Sequence, residues 1–355
     1  MREFGSEHPA IILPDGYFES LQRPGREIVY LRSGREALLL VARNCKPADG
    51  AVILFPAYCC WSMSAPFEKS GWEIVYYRLN EDLTPDEEHL ARLLESRRPD
   101  ALLTMNFYGS APTERAVALA REKRPEITVI EDFSHCTFCF ERIFNPQADF
   151  YVSSIRKSVG VCDGAIIIGR KPLDTASMTA DQTAFSDMRA EAQASKGRYF
   201  HTKDPDAKQS FLNDLRRCET QLDAFDLPHP MSDRAHRMLA CLNGEKIAFA
   251  RRENMKHLLA RLEEAGMQTV PGLERSLGGA PFSLPVLVER RDEVQRELAR
   301  NGVYAPVLWP LCDRARKTCP VSARMADHML SLPVDQRYGR DDMEEIARIV
   351  ISCKR

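Results

Sequence analysis

The chain has 355 residues, enough for two domains of ordinary size or for one large domain with a smaller one attached. Its 49 basic and 51 acidic residues give a formal net charge of -2, which argues against a nucleic acid or an anionic membrane as partner. No charged and apolar leader opens the sequence, and no apolar run approaches the roughly 20 residues of a membrane-spanning helix. We therefore expect a cytoplasmic protein that acts on a small molecule.

The 11 cysteines are scattered rather than spaced as a disulfide framework, as expected for reduced thiols in a cytoplasm. Two local pairs stand out: Cys59 and Cys60 are adjacent, and Cys136 and Cys139 have the two-residue gap seen in metal and redox sites. Neither pair has a second pair or a histidine at the spacing of zinc ligands. No metal site is predicted.

Short apolar runs alternate with amphipathic segments through the first half of the chain. Residues 1–24, with several prolines, are expected to form an irregular N-terminal arm. The predicted strands are 27–31, 52–55, 74–77, 101–105, 128–130, 148–152 and 165–169. Helices are predicted at 86–96 and 113–123, and another opens at Ser33, which forms a capping box with Glu36. Alternating strands and helices predict an α/β fold with a mainly parallel sheet covered on both faces.

The second half of the chain is first helical and then mixed. Long helices are predicted at 181–196, 206–222 and 232–260, and the last of these includes a charged stretch, 251–254, that we expect to be a solvated face. Strands at 267–270, 282–288 and 303–308 then alternate with helices at 291–300 and 341–350. We predict a large domain over 25–245 and a smaller C-terminal α/β domain over 246–355.

Polar and aromatic residues follow several of the predicted strands, and ligands bind at the carboxyl ends of the strands in such sheets. The turn at Ser33 and Gly34 opens a helix, where free backbone N–H groups and the helix dipole favour an anion. An aromatic cluster from Tyr58 to Trp61 follows the second strand. Asp132 and His135 follow the strand at 128–130, whereas the adjacent Glu131 is expected to be a simple strand-end cap.

Lys157 is a lone lysine in a turn rich in hydroxyl groups and glycine, between the strands 148–152 and 165–169. A buried lysine has a depressed pKa and reacts with carbonyl compounds, although a lysine in a turn is more commonly solvated. Together with Asp132, His135, the anion-binding turn and the aromatic cluster, Lys157 completes the set of groups that holds pyridoxal phosphate. In such a set the lysine forms an imine, the aspartate keeps the pyridine nitrogen protonated and the helix start binds the phosphate.

The order and spacing of these motifs resemble a known family, the sugar aminotransferases named after DegT, DnrJ, EryC1 and StrS. This family belongs to the fold type I group of pyridoxal phosphate enzymes. The segments that carry the resemblance are 33–38, 55–58, 106–109, 129–135, 154–157, 163–164 and 330–334. The resemblance covers most of the chain and implies the fold type I architecture of a large domain and a smaller C-terminal one.

The resemblance also implies roles for the residues around the cofactor ring. Lys157 would bind pyridoxal 5'-phosphate covalently and, once released, move a proton between the substrate and the cofactor. Asp132 would pair with the pyridinium nitrogen, and His135 would lie beside the 3'-oxygen of the ring. Tyr58 or Trp61 would stack on the ring.

On the phosphate side, the resemblance implies that Ser33 and Gly34 form the binding turn. Members of the family usually continue this turn with threonine, whereas this chain has Arg35, so that a charged contact would replace a hydroxyl contact. The serine that precedes the lysine is closer to it than in many relatives. Ser153 and Ser154 are therefore rival phosphate ligands.

The function implied is that of a homodimeric aminotransferase with its active site near the interface. It would take an amino group, usually from glutamate, and pass it to a keto-sugar, often nucleotide-linked, for a polysaccharide, glycan or natural product. The family's asparagine and arginine, which reach the neighbouring site, would fall at 226–230, where this chain has neither. Two alternatives stay open: a dehydratase, although the dehydratases of the family replace the lysine with histidine, and a cofactor-binding regulatory or assembly protein without turnover.

Overall fold

The structure is a computed structural model that describes residues 4–5, 15–16, 25–46, 49–138, 145–179 and 183–353. The strands in chain order are β1 (Phe4–Gly5), β2 (Asp15–Gly16), β3 (Glu27–Leu31), β4 (Val52–Pro56), β5 (Glu73–Tyr77), β6 (Ala101–Met105), β7 (Thr128–Asp132), β8 (Phe150–Ser153), β9 (Ala165–Gly169), β10 (Cys241–Leu242), β11 (Gln268–Thr269), β12 (Ser283–Leu287), β13 (Val303–Tyr304) and β14 (Met329–Pro333). The described α-helices are Gly34–Cys45, Trp61–Lys69, Glu87–Ser96, Glu114–Lys123, Thr183–Thr202, Pro205–Asp223, Asp233–Leu239, Gly244–Glu264, Arg291–Arg300, Asp313–Thr318, Pro320–His328 and Arg340–Ser352.

A seven-stranded sheet in the order β3-β9-β8-β7-β6-β4-β5 forms the centre of the molecule. Only β9 runs antiparallel to its neighbours, β3 and β8, while the remaining pairs are parallel. The carboxyl ends of β3, β4, β6, β7 and β8 therefore lie along one edge of the sheet. The prediction of a mainly parallel mixed sheet is confirmed, with strands at or within a few residues of their predicted positions.

Burial explains why these segments form the centre of the fold. All five residues of β6 and all five of β9 are buried, as expected for strands covered on both faces. The helix Gly34–Cys45 buries seven consecutive residues, from Glu36 to Ala42, because it packs against β8, β9 and the helix Trp61–Lys69. None of the described helices is long and apolar enough to cross a bilayer.

The prediction of one helix over 232–260 is wrong. The structure has a short helix, Asp233–Leu239, then β10, and then the helix Gly244–Glu264. Asn243 ends the interruption, because its side chain accepts a hydrogen bond of 2.8 Å from the backbone N–H of Lys246 and caps the second helix. The apolar pattern runs through the break, so that periodicity alone does not reveal it.

The prediction of a solvated face at 251–254 is also wrong for two of its residues. Arg251 and Asn254 are only 2% and 4% exposed. They lie three residues apart on one face of the helix, which is turned toward the protein interior. Asn254 Nδ2 donates hydrogen bonds to the carbonyl oxygens of Val334, Asp335 and Tyr338. Backbone carbonyls are the main acceptors for these buried polar groups, and a sequence pattern does not reveal such partners.

A second, three-stranded antiparallel sheet has the order β11-β12-β14 and packs against the helix Gly244–Glu264. The strand predicted at 303–308 is only the two residues of β13, which pair with β1 near the N-terminus. The domain boundary that we predict at 245–246 falls inside the helix Gly244–Glu264. Most of the N-terminal arm predicted at 1–24 lies outside the described residues.

Glu131 lies within β7 rather than beyond its end, and it is buried. Its Oε1 accepts hydrogen bonds from the hydroxyl groups of Thr113 and Thr104. Burial is the main cause that raises the pKa of this carboxyl to about 7. Glu131 thus joins β7 to its neighbour β6 and to the residue that precedes the helix Glu114–Lys123, a structural role as expected, although inside the sheet.

Candidate active site

Lys157 lies at the carboxyl edge of the sheet, in the 3-10 turn Ile155–Lys157 that follows β8. Its side chain is half-buried, and Nζ makes no hydrogen bond or ion pair with any residue in the described ranges. Burial has the largest effect on the pKa values of Asp132 and His135, and the positive charge of Lys157 lowers both of them. The three residues therefore form one electrostatic cluster around the Lys157 amine.

Asp132 is the last residue of β7 and is buried. Burial raises the pKa of its carboxyl group above the ordinary value, against the opposing effects of Lys157 and Ser134. The backbone N–H of Ser134 donates a hydrogen bond of 2.7 Å to Oδ1. Ser134 is the only described residue that hydrogen-bonds this carboxyl group, which leaves acceptor capacity for a further donor.

His135 is held by one hydrogen bond and by several rings. The backbone N–H of Tyr108 donates to Nδ1 at 3.3 Å. Burial lowers the pKa of His135 well below its ordinary value, so that the ring is neutral and carries its proton on Nε2. The rings of Phe282 and Trp309 lie nearly parallel to it, with centroids at 4.6 and 5.4 Å. The imidazole is thus fixed, with one N–H available as a donor.

The two aromatic residues predicted to flank a ring occupy different environments. Tyr58 is buried, with its ring centroid 4.8 Å from that of Trp309 and 5.8 Å from that of Phe107. Trp61 begins the helix Trp61–Lys69 and is 54% exposed. Sequence reasoning missed Phe282 and Trp309, since they come from far along the chain and no motif surrounds them.

The start of the helix Gly34–Cys45 lies directly against Ser154. A Cβ atom on Gly34 would be 3.0 Å from Ser154 Cβ, so that only glycine allows this approach without displacement. The first backbone N–H groups of a helix have no partner within it. Within the described ranges, the Ser154 hydroxyl makes no hydrogen bond. The backbone N–H groups at the helix start and the Ser154 hydroxyl thus lie together at the sheet edge, where the sequence predicts an anion site.

Ser153 and Ser154 differ in their surroundings, as expected for successive residues at the end of a strand. The hydroxyl of Ser153 lies 2.8 Å from that of Thr137 and also contacts the carbonyl oxygen of Phe133. The Ser153 hydroxyl is therefore already hydrogen-bonded within the protein. Of the two serines, Ser154 has the hydroxyl next to Gly34.

The side chain of Arg35 is directed away from the anion turn. Its guanidinium forms ion pairs with Asp223 and, at 3.6 Å, with Glu219. Glu219 also binds Arg156 and Arg189, each at 2.9 Å. Burial alone would raise the pKa of Glu219, but these arginines outweigh it and lower the pKa to about 2. Only the backbone N–H of Arg35 belongs to the helix start.

Behind the anion turn, Glu36 forms the centre of a buried polar cluster. Its carboxylate accepts hydrogen bonds from Arg32 Nη2 at 2.7 Å and from Ser33 Oγ at 2.6 Å. His229 Nδ1 lies 2.7 Å from the same carboxylate. The Ser33 hydroxyl proton is thus already used. The sequence predicted the pairing of Ser33 with Glu36 but missed Arg32 and His229, the latter in the atypical stretch 226–230.

The two cysteine pairs form no recognisable site in the described part of the structure. Cys136 is buried, and Cys139 lies outside the described residues. Within the described ranges, no group of three or more His, Cys, Asp or Glu side chains is arranged to hold a metal ion.

The Glu36 cluster leads to a test of stability with a matched control. We expect Glu36→Gln to lower the free energy of unfolding by about 3–5 kcal/mol, because it removes the carboxylate charge from the buried pair with Arg32. Glu88→Gln removes a similar (i, i+4) pair with Arg92, but on the surface, and we expect about 0.5 kcal/mol or less. Urea denaturation of both variants measures the difference. Equal effects of the two substitutions would contradict the role given to Glu36.

Comparisons with known proteins give matches only at the level of structure. No family model matches the sequence, and no curated protein matches it either. A DegT DnrJ EryC1 StrS aminotransferase from Brucella abortus is 16% identical, with a TM-score of 0.63 over 96% of this chain and 91% of the other. DesI, solved in the presence of its TDP-sugar product, is 17% identical, with a TM-score of 0.68 over 99% and 93%.

A third solved structure is Spr1654 of Streptococcus pneumoniae, described as a sugar aminotransferase and solved in its PLP form. It is 13% identical, with a TM-score of 0.68 over 99% of this chain and 98% of the other. At such identities the likeness establishes the fold. The chain has the fold type I α/β architecture of these aminotransferases, as predicted from its sequence.

Proposed function

We propose that this chain is a pyridoxal phosphate-dependent aminotransferase of the DegT/DnrJ/EryC1/StrS type. It passes an amino group from a donor such as glutamate to a keto-sugar that is linked to a nucleotide. The observation that carries the proposal is the position of Lys157 at the carboxyl edge of a fold type I sheet. Its amine has no partner among the described residues, and it lies near the buried carboxyl group of Asp132. The similar structures described with a PLP form and with a TDP-sugar product support the cofactor and the class of substrate.

The residues at the sheet edge fit this cofactor. Lys157 would bind it covalently, and Asp132 would accept a hydrogen bond from the pyridinium nitrogen, for which its carboxyl group has free capacity. A cation at that point would also lower the pKa of Asp132 and favour its ionised form. His135, neutral and fixed by the rings around it, would donate from Nε2 to the oxygen on the cofactor ring.

The phosphate fits the helix start. The backbone N–H groups of Gly34 and Arg35 and the Ser154 hydroxyl supply donors, and the helix dipole favours the negative charge. The Arg35 side chain does not take part, because Asp223 and Glu219 hold it. Ser33 contributes by capping the helix, while its hydroxyl proton binds Glu36.

The bound cofactor supplies an electron sink that stabilises negative charge on the substrate carbon next to the nitrogen. The chain's own contribution to the chemistry is proton transfer and exclusion of water. Once released from the cofactor, Lys157 Nζ would take a proton from the substrate carbon and return one later, as a general base and then a general acid. Tyr58, Phe282 and Trp309 form an apolar wall on the side of His135 that keeps water from the reacting groups.

We further propose a homodimer in the cytoplasm, with its active site near the subunit interface. The resemblance implies the dimer, and Trp61, which begins the helix after β4 and is more than half exposed, is a large aromatic side chain that a second subunit can contact. The described cysteines are free thiols, in keeping with a reducing compartment. We retain the division into a large domain over 25–245 and a small one over 246–355 as part of the proposal.

The covalent role of Lys157 leads to a direct test. Purified protein incubated with pyridoxal 5'-phosphate should gain a visible absorbance band, and borohydride reduction should attach the cofactor to the peptide that contains Lys157. Lys157→Ala should abolish both. Lys171→Ala is the matched control, because Lys171 is an exposed lysine that pairs with Asp149, and it should change neither. A wild-type protein that remains colourless with added cofactor would refute the proposal.

The contact between Gly34 and Ser154 leads to a second test. Gly34→Ala should weaken binding of pyridoxal 5'-phosphate by about tenfold, the equivalent of one weakened charge-assisted hydrogen bond. Binding of pyridoxal, which has no phosphate, should be unchanged. Gly197→Ala is the control, because no atom lies within 4 Å of the added Cβ; it should leave both affinities unchanged. An equal loss for the two ligands in Gly34→Ala would contradict a phosphate site at this turn.

A further inference from the structure

Arg251 is a buried cation that donates most of its hydrogen bonds to backbone carbonyl oxygens. Its Nη1 donates to the carbonyl oxygens of Pro281 and Phe282 at 2.9 and 3.1 Å. Its Nη2 donates to the carbonyl oxygen of Ser158 at 2.9 Å, and its Nε donates to Gln336 Oε1 at 2.8 Å. Burial lowers the pKa of the guanidinium to about 10.

A buried charge is expensive unless it is well hydrogen-bonded. The charge of Asp335 favours the ionised form of Arg251, but within the described part of the chain no carboxylate lies close enough to form an ion pair with it. A hydrophobic residue would fill the same space at lower cost. The geometry therefore points to a task that needs the planar fork of arginine, whose N–H groups reach several acceptors in fixed directions.

The contacts of Arg251 lead to two sides of the site. Ser158 directly follows Lys157, and Gln336 Nε2 donates a second hydrogen bond, of 3.0 Å, to the same Ser158 carbonyl. Phe282, whose carbonyl also binds Arg251, stacks its ring on His135. One guanidinium thus joins the turn that carries Lys157 to the ring that fixes His135.

We propose that Arg251, assisted by Gln336, is a positioning residue that sets the orientation of Lys157 and His135. This inference deepens the proposed aminotransferase function and rests on it. Arg251 touches neither group itself: it acts on Lys157 through the carbonyl group of the next residue, Ser158, and on His135 through Phe282. A displacement of a reacting group by about 1 Å can cost a factor of 100 in rate, so that a distant support can control the chemistry.

The test uses three variants. Arg251→Lys keeps the charge but loses the fork, and Gln336→Ala removes the second donor to the Ser158 carbonyl. Arg252→Lys is the matched control, because Arg252 is the next residue of the same helix and binds only the carbonyl oxygen of Gly279 among the described residues. Thermal unfolding of all three proteins records any general loss of stability.

The first measurement is hydrogen exchange in the protein without cofactor. The amides of Lys157 and Ser158 bond to the carbonyl oxygens of Ser154 and Ile155, so that their exchange reports opening of the turn. We expect Arg251→Lys and Gln336→Ala to speed this exchange about tenfold, whereas Arg252→Lys leaves it within about twofold.

The second measurement is the single-turnover rate of the cofactor-loaded protein with an amino donor. Arg251→Lys and Gln336→Ala should lower the maximal rate by about 10- to 100-fold, with little change in the donor concentration that gives half of it.

Unchanged exchange and unchanged rate in both variants, even with lower thermal stability, would overturn the inference. If Arg251→Lys fails to fold, Gln336→Ala decides alone. A wild-type protein without any turnover would refute the proposed function, while the exchange experiment would still test the support of the turn.

Discussion

The burial of the Asp132 carboxyl group beside the Lys157 amine is the arrangement on which the rest of the site depends. A carboxyl group out of contact with water is costly unless it is hydrogen-bonded or paired, and the described residues give it only Ser134 as a hydrogen-bond partner and Lys157 as a nearby charge. The Asp132 carboxyl group can therefore accept a further hydrogen bond, as a site for a cationic N–H donor requires. The parallel sheet makes it possible, because the ends of β7 and β8 lie side by side at one edge.

The surrounding structure holds each side of this arrangement with buried polar groups. On the anion side, Glu36 binds Arg32, Ser33 and His229, which anchors the helix start against the sheet. Glu219 binds Arg156, next to Lys157, and also Arg35, so that the helix Pro205–Asp223 holds both turns. In the proposed reaction these groups contact no reacting atom. They fix the backbone that carries the residues with proposed roles.

Much of the fold could be predicted from the sequence, because strands buried on both faces form short apolar runs with polar residues at their ends. The same logic predicts that Lys157, Asp132 and His135 share one edge of a sheet. The sequence does not distinguish Ser153 from Ser154 as ligands, whereas in the structure the Ser153 hydroxyl contacts that of Thr137 and Ser154 lies against Gly34.

The residues that sequence reasoning missed have a common physical character. Phe282, Trp309, His229 and Arg251 contact the site or its supports from distant parts of the chain. Their partners are ring faces, a buried carboxylate or backbone carbonyls. Such partners leave no local pattern. The residues around Arg251 are charged, which is typical of a solvent-facing helix surface. The carbonyl oxygens that surround its guanidinium come from other parts of the chain and leave no mark on that local sequence.

The most direct test follows the amino nitrogen itself. Cofactor-loaded protein is incubated with isotope-labelled glutamate and with other labelled amino donors, freed of donor, and then mixed with nucleotide-linked keto-sugars. We predict that the label appears in an amino sugar and that the protein returns to its original absorbance. Cofactor bound through Lys157, with no label transferred from any donor to any sugar, would contradict the proposed aminotransferase and would identify a cofactor-binding protein without turnover.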